Sequence, residues 1–235
     1  MPAGAAPDQL AQIEKAVQAS PLLAQQLSDV AADGRLARID IVATDRVRLA
    51  GAQSPFRAGI SGTDMRITQG LLKDLQVGCA FRPAKLDEIC PDNTVFVLGH
   101  LAYLAKTAKD MADVDAQRLP ALRAVDGTPR ASSPVDVSDL IGRNVRKRLE
   151  REAAAFITGW NCVVDEATVR NARPLTRQQI VSMMANLRYR FALLNAAIQG
   201  GAPLTVLPSG LVELSARNIQ AVRAVLAESA MADIE

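Results

Sequence analysis

The stretch from Asp92 to Met111 constrains this chain more than any other. Asp92-Asn93-Thr94 is a helix-start signal, since short polar side chains can accept hydrogen bonds from the first free backbone N–H groups. An apolar run follows through Val95, Phe96, Val97 and Leu98. Gly99-His100 then carries the one histidine of the protein. Lys106 and Lys109 stand near the end, where positive charge suits the helix dipole. The pattern predicts one apolar helix over 92–111 with its only imidazole near the centre.

Composition fits helices around it. Of the 235 residues 49% are apolar but only 3% aromatic. Strand cores lean on aromatic and β-branched side chains, so an Ala- and Leu-rich chain favours packed helices. The net charge of +2 makes no global case for nucleic acid. No apolar run approaches the roughly 20 residues of a membrane span. The start, MPAGAAPDQLAQIEKA, has neither a basic segment nor an apolar core of the kind a secretory signal needs.

In chain order, residues 1–35 read as N-terminal helices, one over Asp8 to Ala19 and one restarting at Ser20-Pro21 and ending at Gly34. Residues 36–68 read as a small sheet. Leu36 to Ala43 alternates and is β-branched, Arg46 to Gln53 extends or pairs with it, and Ser61-Gly62-Thr63-Asp64 is a hairpin turn. A short helix over Gln69 to Leu75 and an irregular bridge over Gly78 to Pro91 lead to the histidine helix at 92–111. Residues 112–136 read as a loop region, its tip rich in turn residues. Residues 138–235 read as C-terminal helices: Ser138 to about Val169, Thr176 to about Gln199 with a capping box, and Ser215 to about Ala232. A small hairpin is expected around Pro208-Ser209-Gly210. The whole, 1–235, is expected to be a single domain.

In the long helix, Val145, Leu149, Phe156, Trp160 and Val163 share one stripe, and Glu152 lies within it. A carboxylate on an apolar face is costly to bury without a partner. Glu152 therefore either escapes to solvent along its stem or faces His100 or a metal across a helix contact. Arg143, Arg146, Lys147, Arg148 and Arg151 form a basic cluster, read as a solvated helix face, with anion binding the functional alternative. Without stacking aromatics, nucleic acid is an unfavoured partner. Cys79, Cys90 and Cys162 read as three free thiols, with a Cys79–Cys90 pair the alternative. Ser61 in GISGT reads as a turn residue rather than a nucleophile.

The run VFVLGHLAYL resembles the active-site helix of zincin-like metallopeptidases, which reads apolar-apolar-G-H-E-x-x-H. His100 matches the first zinc ligand, Leu101 stands at the glutamate position and Leu104 at the second histidine. The run REAAAFITGWN, Arg151 to Asn161, resembles the second, ligand-bearing helix of peptidase domains carried by bacterial secreted effectors and toxins. The resemblance covers about Leu36 to Asp165. It implies an α+β, predominantly helical, zincin-like fold, with the small sheet of the N-terminal half packed on a long-helix bundle. His100 and Glu152 would be vestigial ligands and Leu101 and Leu104 vacated motif positions. The expected function is a pseudoenzyme that binds a protein partner, without a resident cofactor. Zinc enters only if the site is still active. The expected location is the cytoplasm of the producing cell, with export by a route lacking a cleaved signal peptide left open. A helical interaction protein unrelated to peptidases is the alternative.

Overall fold

The computed structural model of the protein describes residues 7–43, 48–49, 52–53, 57–76, 89–114, 116, 138–187 and 204–232. Helix α1 (Pro7–Ala19) buries Ile13 and Ala16. Helix α2 (Pro21–Ala32) starts where the sequence places it. Ser20 is extended, its Oγ accepts from Leu23 N, and Pro21 sits at the position where a missing N–H costs nothing. Asp165, far along the chain, completes this cap: its Oδ2 accepts from Ser20 Oγ at 2.8 Å and Leu22 N at 2.9 Å. Gly34, at φ +68°, reverses the chain after α2.

Three strands follow as a small sheet of order β1-β5-β4. β1 (Arg38–Val42) runs parallel to β5 (Asp64–Thr68), and β4 (Ala58–Ser61) runs antiparallel to it. The β4–β5 turn closes through Gly62 at φ +61°, with Ser61 opposite Asp64. Ile41, Met65 and Ile67 are the buried apolar residues of this sheet. The stretch expected to extend or pair with β1 pairs with itself instead: β2 (Arg48–Leu49) and β3 (Ala52–Gln53) form a separate antiparallel ribbon. Helix α3 (Gln69–Gln76) continues directly from β5.

The rest is helical, so the protein is α+β and predominantly helical. Helix α4 (Asn93–Lys106) is the histidine helix. It stops at Thr107, and helix resumes over 108–114, so the element expected as one piece has a break. Helix α5 (Ser138–Asn171) is the long helix. α6 (Arg177–Asn186) opens with the expected Thr176–Gln179 capping box but ends at Leu187, which is extended; the remainder of the expected span to Gln199 lies outside the described residues. α7 (Ala216–Ala232) is the last. The expected hairpin is present, as Val206 pairs with Val212 and Leu207 N donates to Leu211 O at 2.8 Å. The turn-rich tip at 126–134 lies outside the described residues.

Helices α4 and α5 make the most extensive contact and run antiparallel, Phe96 meeting Gly159 while Thr107 meets Arg151. Two glycines permit the close approach. A Cβ on Gly159 would lie 2.6 Å from Phe96 O, and one on Gly99 2.8 Å from Cys162 Sγ. Trp160 is fully buried and donates Nε1–H to Gly210 O at 2.8 Å. Beside it, Asn161 donates to Val212 O and accepts from Val212 N, a side-chain imitation of strand pairing that fixes the hairpin on α5. The stripe expected on α5 holds from Phe156 to Val163 and fails at Val145, which is 48% exposed. No helix among the described residues is long and apolar enough to cross a membrane.

Candidate functional site

His100 and Glu152 meet. Asp92 fixes where α4 begins, its Oδ1 accepting from Thr94 N at 2.8 Å and Val95 N at 3.2 Å. That start places His100 two turns along, on the face turned to α5. Its Nε2 lies 3.1 Å from Glu152 Oε1. The ring is framed by Phe96, nearly parallel with centroids 6.4 Å apart, and by Phe156, edge-on at 5.3 Å. The side chains are 17% and 27% exposed, so the pair sits at the rim of the core with one edge toward solvent. Of the two fates open to Glu152 in the sequence, it takes the inward one.

The other motif positions differ from each other. Leu101 is 2% exposed, packed into the core, whereas Leu104 is only partly buried against it. Arg151 holds the backbone here, donating to Leu104 O and, through Nε, to Thr107 Oγ1 at 2.7 Å. Thr107 in turn donates to Tyr103 O at 2.9 Å. Burial pulls the Arg151 guanidinium below its usual pKa, partly offset by the charge of Glu152. Burial raises the Tyr103 phenol above its own.

The donors assembled are one imidazole and one carboxylate. A catalytic zinc site needs three protein ligands, so this set is one short. Among the described residues no group of three His, Cys, Asp or Glu side chains is disposed to hold a metal ion. What the pair can do as it stands is hydrogen-bond and fix the α4–α5 register.

The basic cluster divides. Arg143, Arg146, Lys147 and Arg148 are exposed, while Arg151 turns inward. Arg143 Nε bonds Asp139 O and Arg148 Nε bonds Asn144 Oδ1, so two of the four are tied to their own helix. The cysteines are not three free thiols. Cys90 is disulfide-bonded and Cys162 is free, while Cys79 lies outside the described residues. Burial pushes the Cys162 thiol up to about 12, with help from Asp165, which removes it as a nucleophile at neutral pH.

Three features escaped the sequence reading. Phe96 and Phe156 frame the imidazole, a role that the i, i+4 spacing of Phe96 and His100 signals. Arg151 belongs to the core side of its helix. Glu166 is buried as Glu152 is not: its side chain is 5% exposed, with Oε1 3.2 Å from Arg170 Nε. Glu166 stands fourteen residues, two heptads, after Glu152, so the same helical spacing puts it on the apolar side of α5.

In comparisons with known proteins, no family model, no curated protein and no solved structure matches this chain.

Proposed function

We propose that this is a zincin-like domain of bacterial effector or toxin type whose catalytic motif has been lost, and that it acts by binding a protein partner. One observation carries the reading. The two residues that the resemblance selects as ligand-like, 52 positions apart, meet at 3.1 Å across the α4–α5 contact. The losses are consistent with it, since leucines fill vacated polar positions without needing partners. On this reading His100 and Glu152 hold each other where a metal once held both, and catalysis is absent. The rival is a helical interaction protein unrelated to peptidases, in which the aromatic-framed His100 is a structural hydrogen-bond donor or acceptor and nothing more.

Restoring donors separates the two. Leu104→His adds a second imidazole one helical turn from His100, leaving the buried Leu101 in place. Adding Leu101→Glu rebuilds the full motif at some cost in stability, since it sends a carboxylate into the core. Thermal unfolding is measured with and without zinc for the single and double variants, and again with Glu152→Ala. The expectation is zinc-dependent stabilisation, about 2.7 kcal/mol at a hundredfold excess over Kd, abolished by Glu152→Ala. If zinc stabilises neither variant, or does so equally without Glu152, the zincin reading fails.

A further inference from the structure

A cavity of about 380 Å³ lies between α4, α5 and α7, apart from the His100–Glu152 pair. Tyr103 lines it from α4, Glu150, Arg151 and Ala154 from α5, and Ile219 and Arg223 from α7. Two guanidinium groups and one carboxylate therefore face one space. Glu150 is already engaged, its Oε1 3.0 Å from Arg223 Nη1. Arg151 is the cation without an ion pair of its own, although the charges of Glu152 and Asp110 partly offset its burial. Its hydrogen bonds go to Leu104 O and Thr107 Oγ1, both neutral, and it enters no ion pair among the described residues. Glu152, its neighbour in sequence, is turned to His100.

A half-buried guanidinium whose direct hydrogen bonds go only to neutral acceptors, with carboxylates near but not paired to it, gains from an anion that contacts it directly. Guanidinium N–H groups beyond those two bonds remain to receive it, in the planar fork that matches a carboxylate. The remaining walls argue for one kind of anion. Ala154, Ala216 and Ile219 are apolar, the Tyr103 ring adds an aromatic surface and Gln220 a neutral polar one, while the net charge of the three ionised walls is a single positive unit. That combination suits a monoanion with an apolar body better than phosphate. The size falls within the range of small-molecule sites.

We propose that this cavity binds a small monocarboxylic acid, its carboxylate on Arg151 and its apolar body against Ala154, Ile219 and the Tyr103 ring. The proposal does not depend on the zincin reading. Calorimetric titration of the whole protein with benzoate, benzamide and inorganic phosphate tests it. Benzoate should bind at one saturable site. Benzamide, of the same shape without the charge, should bind about tenfold more weakly or worse, as should benzoate to Arg151→Met. Because Arg151 also secures the end of α4, Ile219→Trp serves as a second variant that fills the cavity from α7 and leaves Arg151 alone. It should also weaken benzoate at least about tenfold, with the circular dichroism spectrum unchanged. The proposal is overturned if benzoate does not bind, if benzamide matches it, if phosphate binds more tightly, or if folded Ile219→Trp retains full affinity.

Discussion

Glu166 shows what a single side chain does to the pH profile of the whole. Burial raises its carboxyl from 4.5 to about 7, Arg170 opposes the rise, and Asp92 and Asp165 add to it. Its Oε2 is buried without a hydrogen-bond partner among the described residues, which suits a protonated acid. The native state therefore holds a proton that the unfolded state releases. Below about 4.5 both states are protonated and the group costs nothing; as pH rises through about 7 the native state alone resists ionisation, and stability is lost. Glu166→Gln should remove this slope and gain on the order of 2–3 kcal/mol at pH 8 over the parent. Urea unfolding of both proteins at pH 5 and pH 8 measures it, and parallel changes in the two would refute the assignment. Helical spacing singled out Glu152 on the apolar stripe and passed over Glu166, two heptads further on. It did not show that one would find an imidazole and the other only an arginine at its own helix's surface, because that depends on what the facing element brings.

Helix boundaries and the α4–α5 pairing come from different kinds of information. Caps are local chemistry, so Ser20-Pro21, Asp92 and the Thr176–Gln179 box could be read directly. Turn chemistry at Gly34 and Gly62 was equally visible. The ends of α4 and α6 were not, since Thr107 and Leu187 are not helix breakers by type. The burial of Phe156, Trp160 and Val163 followed from spacing, whereas the exposure of Val145, on the same stripe, did not. The two glycines of α5 make the contrast testable. At Gly142 an added Cβ meets nothing within 4 Å, so Gly142→Ala should stabilise by roughly 0.5–1 kcal/mol through helix propensity alone. At Gly159 the same methyl would collide with the Phe96 carbonyl, and forcing the helices apart should cost about 1–3 kcal/mol, enough to outweigh that gain. Opposite shifts of the urea midpoint are expected, and a stabilised Gly159→Ala would mean that the crossing is looser than it looks.

Across the molecule, one contiguous core joins α1 and α2, the sheet, α4, α5, the hairpin and α7. Asp165 is the longest-range polar tie among the described residues, reaching Ser20 and Leu22 over 145 and 143 residues. Asp165→Ala should cost about 1–3 kcal/mol, since it leaves two donors at the start of α2 without their acceptor. Amide exchange at Leu22 should then quicken more than at Leu23, whose own bond to Ser20 Oγ is local. Equal protection of the two amides in the variant would argue that Asp165 contributes little. The same tie bears on how the protein is made. As the chain leaves the ribosome, α2 emerges early and its cap late, because residue 165 follows only after the sheet and the histidine helix have been synthesised. The amino-terminal helices must wait, apolar faces open, for a partner not yet translated, and during that interval they are the natural substrate of a chaperone.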